Sequence, residues 1–420
     1  MNEMLLQYLW NYKVFKRFDF ADTDGNPLEI IDFGTWNRNA GPDFLNAIIK
    51  SNGITFAGHI ELHLRSGDWI FHGHTSDKAY QNTILHVVYV DDSDIPDLKD
   101  RGIPTLELKP YIEPHVIETY RELAREHRFI PCEEIILPEL IPAGFTEQKL
   151  LEKLQEKSAA ISKSLEQFKN DVEAVLFHQI AYAFGLKINA EIFRQLAESL
   201  DFSVFRKVAR HPLQAEALLM GRAGFLEIPG DSYQMELKRE YDFLKHKYQL
   251  GELTIRPKFL RLRPPNFPTT RLAQLAALYS SAPNLYSNVI SAKSADEILK
   301  IFSTVRASEY WDSHFVFGKE SAENYPKYLS EEFNHRLLLN AILPFRYTLL
   351  KDREEDVADD ISAFYRNIPA EQNAVIGQWK QLGIPVRDAA DSQAFLYHYK
   401  NFCEPKKCLN CSIGLKILKN

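Results

Sequence analysis

The segment ILHVVYV, Ile84 to Val90, is almost continuously apolar. A short run rich in β-branched residues reads as a strand covered on both faces, so the chain around it must supply layers on either side. Upstream, GHIELHL (Gly58 to Leu64) keeps a different pattern. Ile60, Leu62 and Leu64 alternate with His59, Glu61 and His63. Period-two alternation turns the aliphatic set toward a core and leaves a carboxylate between two imidazoles on the opposite face. Mid-strand carboxylates are disfavoured, so Glu61 asks for a chemical reason.

The surrounding elements follow from the same logic. Leu5, Leu6, Leu9 and Trp10 recur at helical spacing and predict a helix over about Asn2 to Phe15. After the turn DTDGNP come strands at Leu28 to Gly34, Phe44 to Lys50 and Ala57 to Leu64. Ser76 to Asn82 reads as a short helix capped by Ser76, and Thr105 to Leu108 as an edge strand after Ile84 to Val90. The order is helix, three strands, helix, strand. A proline-spaced connector, PCEEIILPELIPAGF, then gives way to helical periodicity from about Phe145. The expected class is α+β, with a strand-rich domain over 1–130 and a mainly helical domain over 131–420.

The balance of charge narrows the partners. A net charge of −7 does not suit a protein that coats nucleic acid nonspecifically, although a local basic groove is compatible with it. IRPKFLRLRPPNFPTTR supplies Arg256, Lys258, Arg261, Arg263 and Arg271, with Phe259 and Phe267 interleaved. Arginine beside an aromatic suits phosphate contact and base stacking, which makes Arg256, Arg261 and Arg263 substrate-binding candidates. The alternative is a linker whose arginines pair with acidic helices. Apolar runs fall short of the ~20 residues a membrane helix needs. The start carries Glu3 and no small-residue cleavage site, so the expectation is a soluble cytoplasmic protein without a membrane partner. There is no P-loop, no G-x-S-x-G and no Rossmann glycine pattern.

Asp43 follows Pro42 at the mouth of the second strand, where it can lie beside Glu61. Two neighbouring carboxylates suit a hard divalent cation, Mg²⁺ or Mn²⁺, able to activate water. DWIFHGHTSDKAY adds His72 and His74 around Gly73. Together with His63 and His86 they permit a histidine-rich zinc or manganese site. His86 otherwise packs inside its apolar strand, His74 is a candidate to line the substrate site, and Trp69 reads as a wall residue.

Pro42-Asp43, about eighteen residues, then Glu61-Leu62-His63 in this element order resembles the PD-(D/E)XK nuclease superfamily over about the first 95 residues. The resemblance implies a restriction-endonuclease-like α-β-β-β-α-β core and metal-dependent phosphodiester cleavage of DNA or RNA. Asp43 and Glu61 would hold the ion, Glu3 on the first helix would be a further metal contact, and His63, standing where the superfamily has lysine, would position or deprotonate water. A fold that binds nucleic acid or a protein without cutting is the second reading, and a histidine-rich metallohydrolase the third. Over its whole length the chain resembles a bacterial family, domain of unknown function 2851, through GPDF, GHIELH, DWIFHGH, LHVVYV, LRPPNFPTTRLA and CLNCSIG. That resemblance implies no activity.

The cysteines form a separate constellation. Cys403, Cys408 and Cys411 cluster near the C-terminus, and clustered thiols in a large intracellular chain suggest a metal before a disulfide. Cys132 or His398 would be the fourth ligand of a structural Zn²⁺ or [4Fe–4S] site. One distant cysteine plus three near the end resembles the iron–sulfur staple of some RecB-type nucleases, with different spacing.

Overall fold

A computed structural model describes residues 2–37, 41–125, 129–253, 255–351 and 357–419. The chain divides into two compact units: 1–143 with 378–385 and 398–420, and 144–377 with 386–397. The first unit thus runs past the expected boundary at 130 and takes back the chain's end. The reason is apolar: Leu409 and Leu418 are buried in its core, with Cys132 and Cys408 packed against it.

Helix α1 (Glu3–Tyr12) opens the first unit, capped by Asn2, whose side chain accepts from Leu5 N. It is followed by β1 (Phe20–Ala21), β2 (Pro27–Asp32), β3 (Thr35–Trp36), β4 (Phe44–Ser51), β5 (Ile54–Arg65), α2 (Asp68–Phe71), β6 (Thr83–Val90), α3 (Pro96–Asp100), β7 (Thr105–Glu107) and α4 (Pro114–Ala124). The sheet order is β1-β2-β4-β5-β6-β7, with β3 beside β4. Pairing is antiparallel from β1 to β5 and parallel from β5 through β7. A crossover connection therefore has to carry the chain from β5 back to the start of β6. The predicted helix over 76–82 is instead two 3₁₀ turns, His74–Ser76 and Lys78–Tyr80. The cap is Asp77, not Ser76: its carboxylate accepts from Ala79 N.

Alternation along β5 and β6 builds the layers. Ile60, Leu62, Leu85 and Val87 pack on Leu5, Leu6, Leu9 and Trp10 of α1. The opposite face holds Glu61, His63, His86 and Val88, all buried. A smaller apolar cluster of Trp69, Tyr80, Ile95 and Leu98 lies in the segments that connect β5 to β6 and β6 to β7. The expectation that Ile84 to Val90 is covered on both faces matches this burial. Gly58 lets β5 and β6 meet: a Cβ there would stand 2.4 Å from the Asn82 carbonyl oxygen.

The second unit is mainly helical. Its longer helices include α5 (Phe145–Gln167), α6 (Val172–Phe184), α7 (Leu186–Glu198), α8 (Pro212–Arg222), α9 (Ser232–Lys247) and α10 (Pro268–Ser281). Aspartate caps start several of them, as Asp171 does by accepting from Ala174 N and Asp231 from Gln234 N. One core runs through the unit, from Leu150 to Ala390. No helix among the described residues is long and apolar enough to cross a membrane.

Candidate metal centre

The site forms where β4 is interrupted. Phe44 pairs with Ile60 and Ala47 with Gly58, so Leu45 and Asn46 face only His59 across a bulge. Asn46 takes φ 58° there. A bulge at this point re-aims the strand's first residues, a common device beside active sites. His59 serves the bulge, accepting from Asn46 N at 3.3 Å. It is therefore engaged away from Glu61 and His63, with which it shares the alternation.

Asp43 and Glu61 are tied by crossed main-chain bonds. Asp43 N donates to Glu61 Oε2 at 3.0 Å, and Leu62 N donates to Asp43 Oδ2 at 3.0 Å. The other Asp43 oxygen accepts from Gln7 Nε2 at 2.7 Å. Burial and the neighbouring Glu61 charge push the Asp43 carboxyl up to about 7. Burial likewise pushes Glu61 to about 8, with the Glu3 charge adding to it. Glu3 feels the same environment. Its carboxyl is raised by burial and lowered by His72 and His74, so it belongs to this electrostatic group.

Four imidazoles crowd the next position. His63 Nδ1 lies 2.9 Å from His86 Nε2. His63 Nε2 lies 3.2 Å from both His72 Nδ1 and His74 Nε2. Glu61 Oε1 is 3.6 Å from His63 Nε2 and 3.4 Å from His74 Nε2. Ligand atoms of His63, His72 and His74 all fall within 4.8 Å of one another. Burial, reinforced by the other histidines, drives the proton affinity of His63 far below the usual imidazole range, and His86 follows for the same reasons. His63 and His86 are therefore held in the neutral form. Such a weakly basic His63 is suited to orient or ligate and is a poor proton acceptor.

The connection after β5 is built to hold the rings. Ser66 Oγ accepts from Asp92 N and Ser93 N, both at 2.9 Å, and Asp68 Oδ2 accepts from Arg65 N at 3.0 Å. Gly73 takes φ 75°, a conformation that favours glycine, and so turns the chain between His72 and His74. Tyr80 stacks on His74 at 3.8 Å between centroids. Burial, then Glu61 and Asp43, raise the Tyr80 hydroxyl to about 12. Trp69 is fully buried against His63, His74 and His86 and donates to Asp97, as a wall residue would.

Sequence reasoning missed two participants. Gln7 had a signal: it lies one turn after Glu3, on the same face of α1. Tyr80 had none, because its role depends on two 3₁₀ turns. His86 is more than strand packing, since it bonds His63.

The thiols and the basic stretch are distinct regions. None of the four cysteines forms a disulfide among the described residues. Cys411 Sγ lies 3.4 Å from His398 Nε2 and accepts from Gly414 N at 3.4 Å. Burial, then the other cysteines, push Cys132 to about 12 and Cys408 to about 11, and hold Cys403 well above its ordinary value. The two candidates for a fourth ligand are thus both near the cluster. In the second unit Arg256 is exposed and bonded to Glu227 and to the Leu253 and Ile255 carbonyls. Arg271 is buried over the Phe333 ring and bonded to Asn266 and Gln274. Phe259 packs between Phe225 and Phe267. Lys258, Arg261 and Arg263 are exposed.

Comparison with curated proteins and with solved structures gives no match. A family model described as protein of unknown function (DUF2851) matches residues 3–374, and the chain belongs to that family.

Proposed function

We propose that this chain is a metal-dependent phosphodiesterase acting on DNA or RNA. The observation that carries the reading is the crossed pair of main-chain bonds that sets Asp43 beside Glu61. Burial first, and charge repulsion second, lift the Asp43 and Glu61 carboxyls to about 7 and about 8, and the nearby Glu3 carboxyl is raised as well. A divalent cation removes that cost, and Mg²⁺ or Mn²⁺ bound there supplies Lewis-acid stabilisation for attack at phosphorus. The order helix, antiparallel strands, crossover, parallel strand also supports the restriction-endonuclease-like reading. His63 orients water or the ion, Asp43, Glu61 and Glu3 hold the ion, His74 lines the site, and Arg261 with Arg263 contact phosphates. Cys132, Cys403, Cys408 and Cys411, with His398 as the alternative fourth ligand, hold a structural Zn²⁺ or [4Fe–4S] group. One observation favours a nucleic-acid-binding protein without cleavage: the superfamily lysine position holds a neutral, hydrogen-bonded His63.

The test is cleavage of single- and double-stranded DNA and RNA with Mg²⁺ and with Mn²⁺. Asp43→Ala should lower the rate at least about 100-fold, since it removes part of the ion's several kcal/mol of transition-state stabilisation. A wild type inert on every strand form with both ions refutes the reading and leaves binding alone.

A further inference from the structure

We propose that His63 Nε2, His72 Nδ1, His74 Nε2 and Glu61 Oε1 form a site for a zinc-class transition-metal cation. It shares Glu61 with the phosphodiesterase reading but rests on the geometry of the imidazoles around Glu61 Oε1, not on that activity.

The distances match the chemistry. Ligands at ~2.0–2.1 Å from a tetrahedral Zn²⁺ are separated by about 3.3–3.4 Å. Here His63 Nε2, His74 Nε2 and Glu61 Oε1 make a triangle with sides of 3.2, 3.4 and 3.6 Å. His72 Nδ1 stands 3.2 Å from the first of them. Hydrogen bonding accounts for only part of this convergence. One ring nitrogen carries at most one proton, yet His63 Nε2 faces two ring nitrogens and a carboxylate oxygen. A cation at the centre satisfies all four lone pairs at once.

The supports are those a metal ligand needs. A ligating histidine usually donates its other N–H to a neighbour, which fixes tautomer and ring angle. His63 Nδ1 at 2.9 Å from His86 Nε2 is placed for that, and His86 is fully buried. Stacking on Tyr80 fixes the His74 ring. His72 is exposed, so an ion can reach the site from solvent. Imidazole nitrogen selects zinc, iron, cobalt or nickel over magnesium, which prefers oxygen and water. Glu61 then faces two surroundings, with Oε2 toward Asp43 and Oε1 toward the histidines.

Co²⁺ is the probe, because its visible absorption reports a low-coordinate site and thiolate ligation adds a separate near-ultraviolet band. The chelator-treated full chain should take up Co²⁺ with visible absorption that is independent of the thiolate band, and Zn²⁺ should displace it. His74→Ala should weaken binding at least about 100-fold. His72→Ala, at an exposed loop position that tolerates substitution, should also weaken it. His86→Phe, which removes the acceptor from His63, should cost about 10–100-fold. His115→Ala, an exposed imidazole of α4, should leave affinity unchanged. Absorption carrying only the thiolate band, or affinity untouched by both His72→Ala and His74→Ala, overturns the proposal. Cleavage with Mg²⁺ by a protein that binds no Co²⁺ here refutes this site alone. Co²⁺ binding by a protein inert on nucleic acid refutes the phosphodiesterase reading alone.

Discussion

Asp43→Asn in the cation-free protein probes the electrostatics of the centre. Burial first, and the Glu61 charge second, lift the Asp43 carboxyl from 3.8 to about 7. A carboxyl raised in this way binds its proton more tightly in the folded state than in the unfolded one. Its contribution to stability is complete below about pH 4 and is lost as pH rises through 7. At 1.36 kcal/mol per pH unit, the interval from 3.8 to about 7 corresponds to about 4 kcal/mol. Glu61, raised from 4.5 to about 8, acts in the same direction, and coupling keeps the two from adding in full. With chelator present, the wild type should therefore lose about 4 kcal/mol or more between about pH 4 and pH 8. The variant has no charge at position 43 and a shallower slope. It also carries a pH-independent penalty of about 1–3 kcal/mol, because Gln7 Nε2 and Leu62 N both need an acceptor and an amide offers one oxygen. The two stability curves should cross between about pH 4.5 and 6, where the wild type has lost about 1–3 kcal/mol, with the wild type more stable below that interval and Asp43→Asn more stable at pH 8. Tryptophan fluorescence in urea suits the assay, since Trp10, Trp36, Trp69 and Trp379 all belong to the first unit. Mn²⁺ at 100 times its Kd should restore about 2.7 kcal/mol to the wild type at pH 8. A wild-type curve that is flat or rises with pH, or a variant that keeps the wild-type slope, refutes the reasoning.

Other perturbations isolate single features. His63→Lys places a cation where His63 Nε2 now faces Glu61 Oε1, so Co²⁺ binding at the imidazoles should be lost while Mn²⁺-supported cleavage is kept or raised; joint loss of both refutes two separable cation sites. Replacing Arg261 and Arg263 with alanine should reduce the salt slope of duplex binding by about 0.9 per phosphate contact, and an unchanged slope removes them from the interface. Gly414→Ala puts a Cβ 2.3 Å from the Cys408 carbonyl oxygen, so the thiol region must shift at a cost of about 1–3 kcal/mol; an unchanged melting temperature refutes that packing.

Much of the first unit was legible because its strands declare themselves by period. The three long strands and the buried β6 follow from alternation and from apolar runs, with end positions shifted by a few residues. The two-residue strands β1 and β3 carry no periodic signal at that length, and they exist only because β2 and β4 offer edges to pair with. The return of the C-terminal segment to the first unit was legible only through the cysteines. Their spacing joined residues 132 and 403–411 before any apolar pattern could, although Leu409 and Leu418 are what bury the segment.

The site was half legible, for a reason that lies in the bulge. Alternation predicts that His59, Glu61 and His63 act together, and it carries no information about the strand opposite. Once Asn46 adopts positive φ, an extra residue of β4 faces His59 and claims its ring, while Asp43 is swung toward Glu61. The same limit applies to the imidazoles. His72 and His74 look like loop decoration until Gly73 reverses the chain and the Ser66 and Asp92 bonds fix where that reversal occurs. His86 reads as core because its neighbours are apolar, yet its ring meets His63 at 2.9 Å. A lysine at position 63 would be a mobile cation able to reach water. The histidine there is instead locked between His86 and two further rings. The ring at position 63 and the three surrounding histidines are therefore one feature: they place no fixed cation at the centre, and their converging nitrogens form the metal site proposed above.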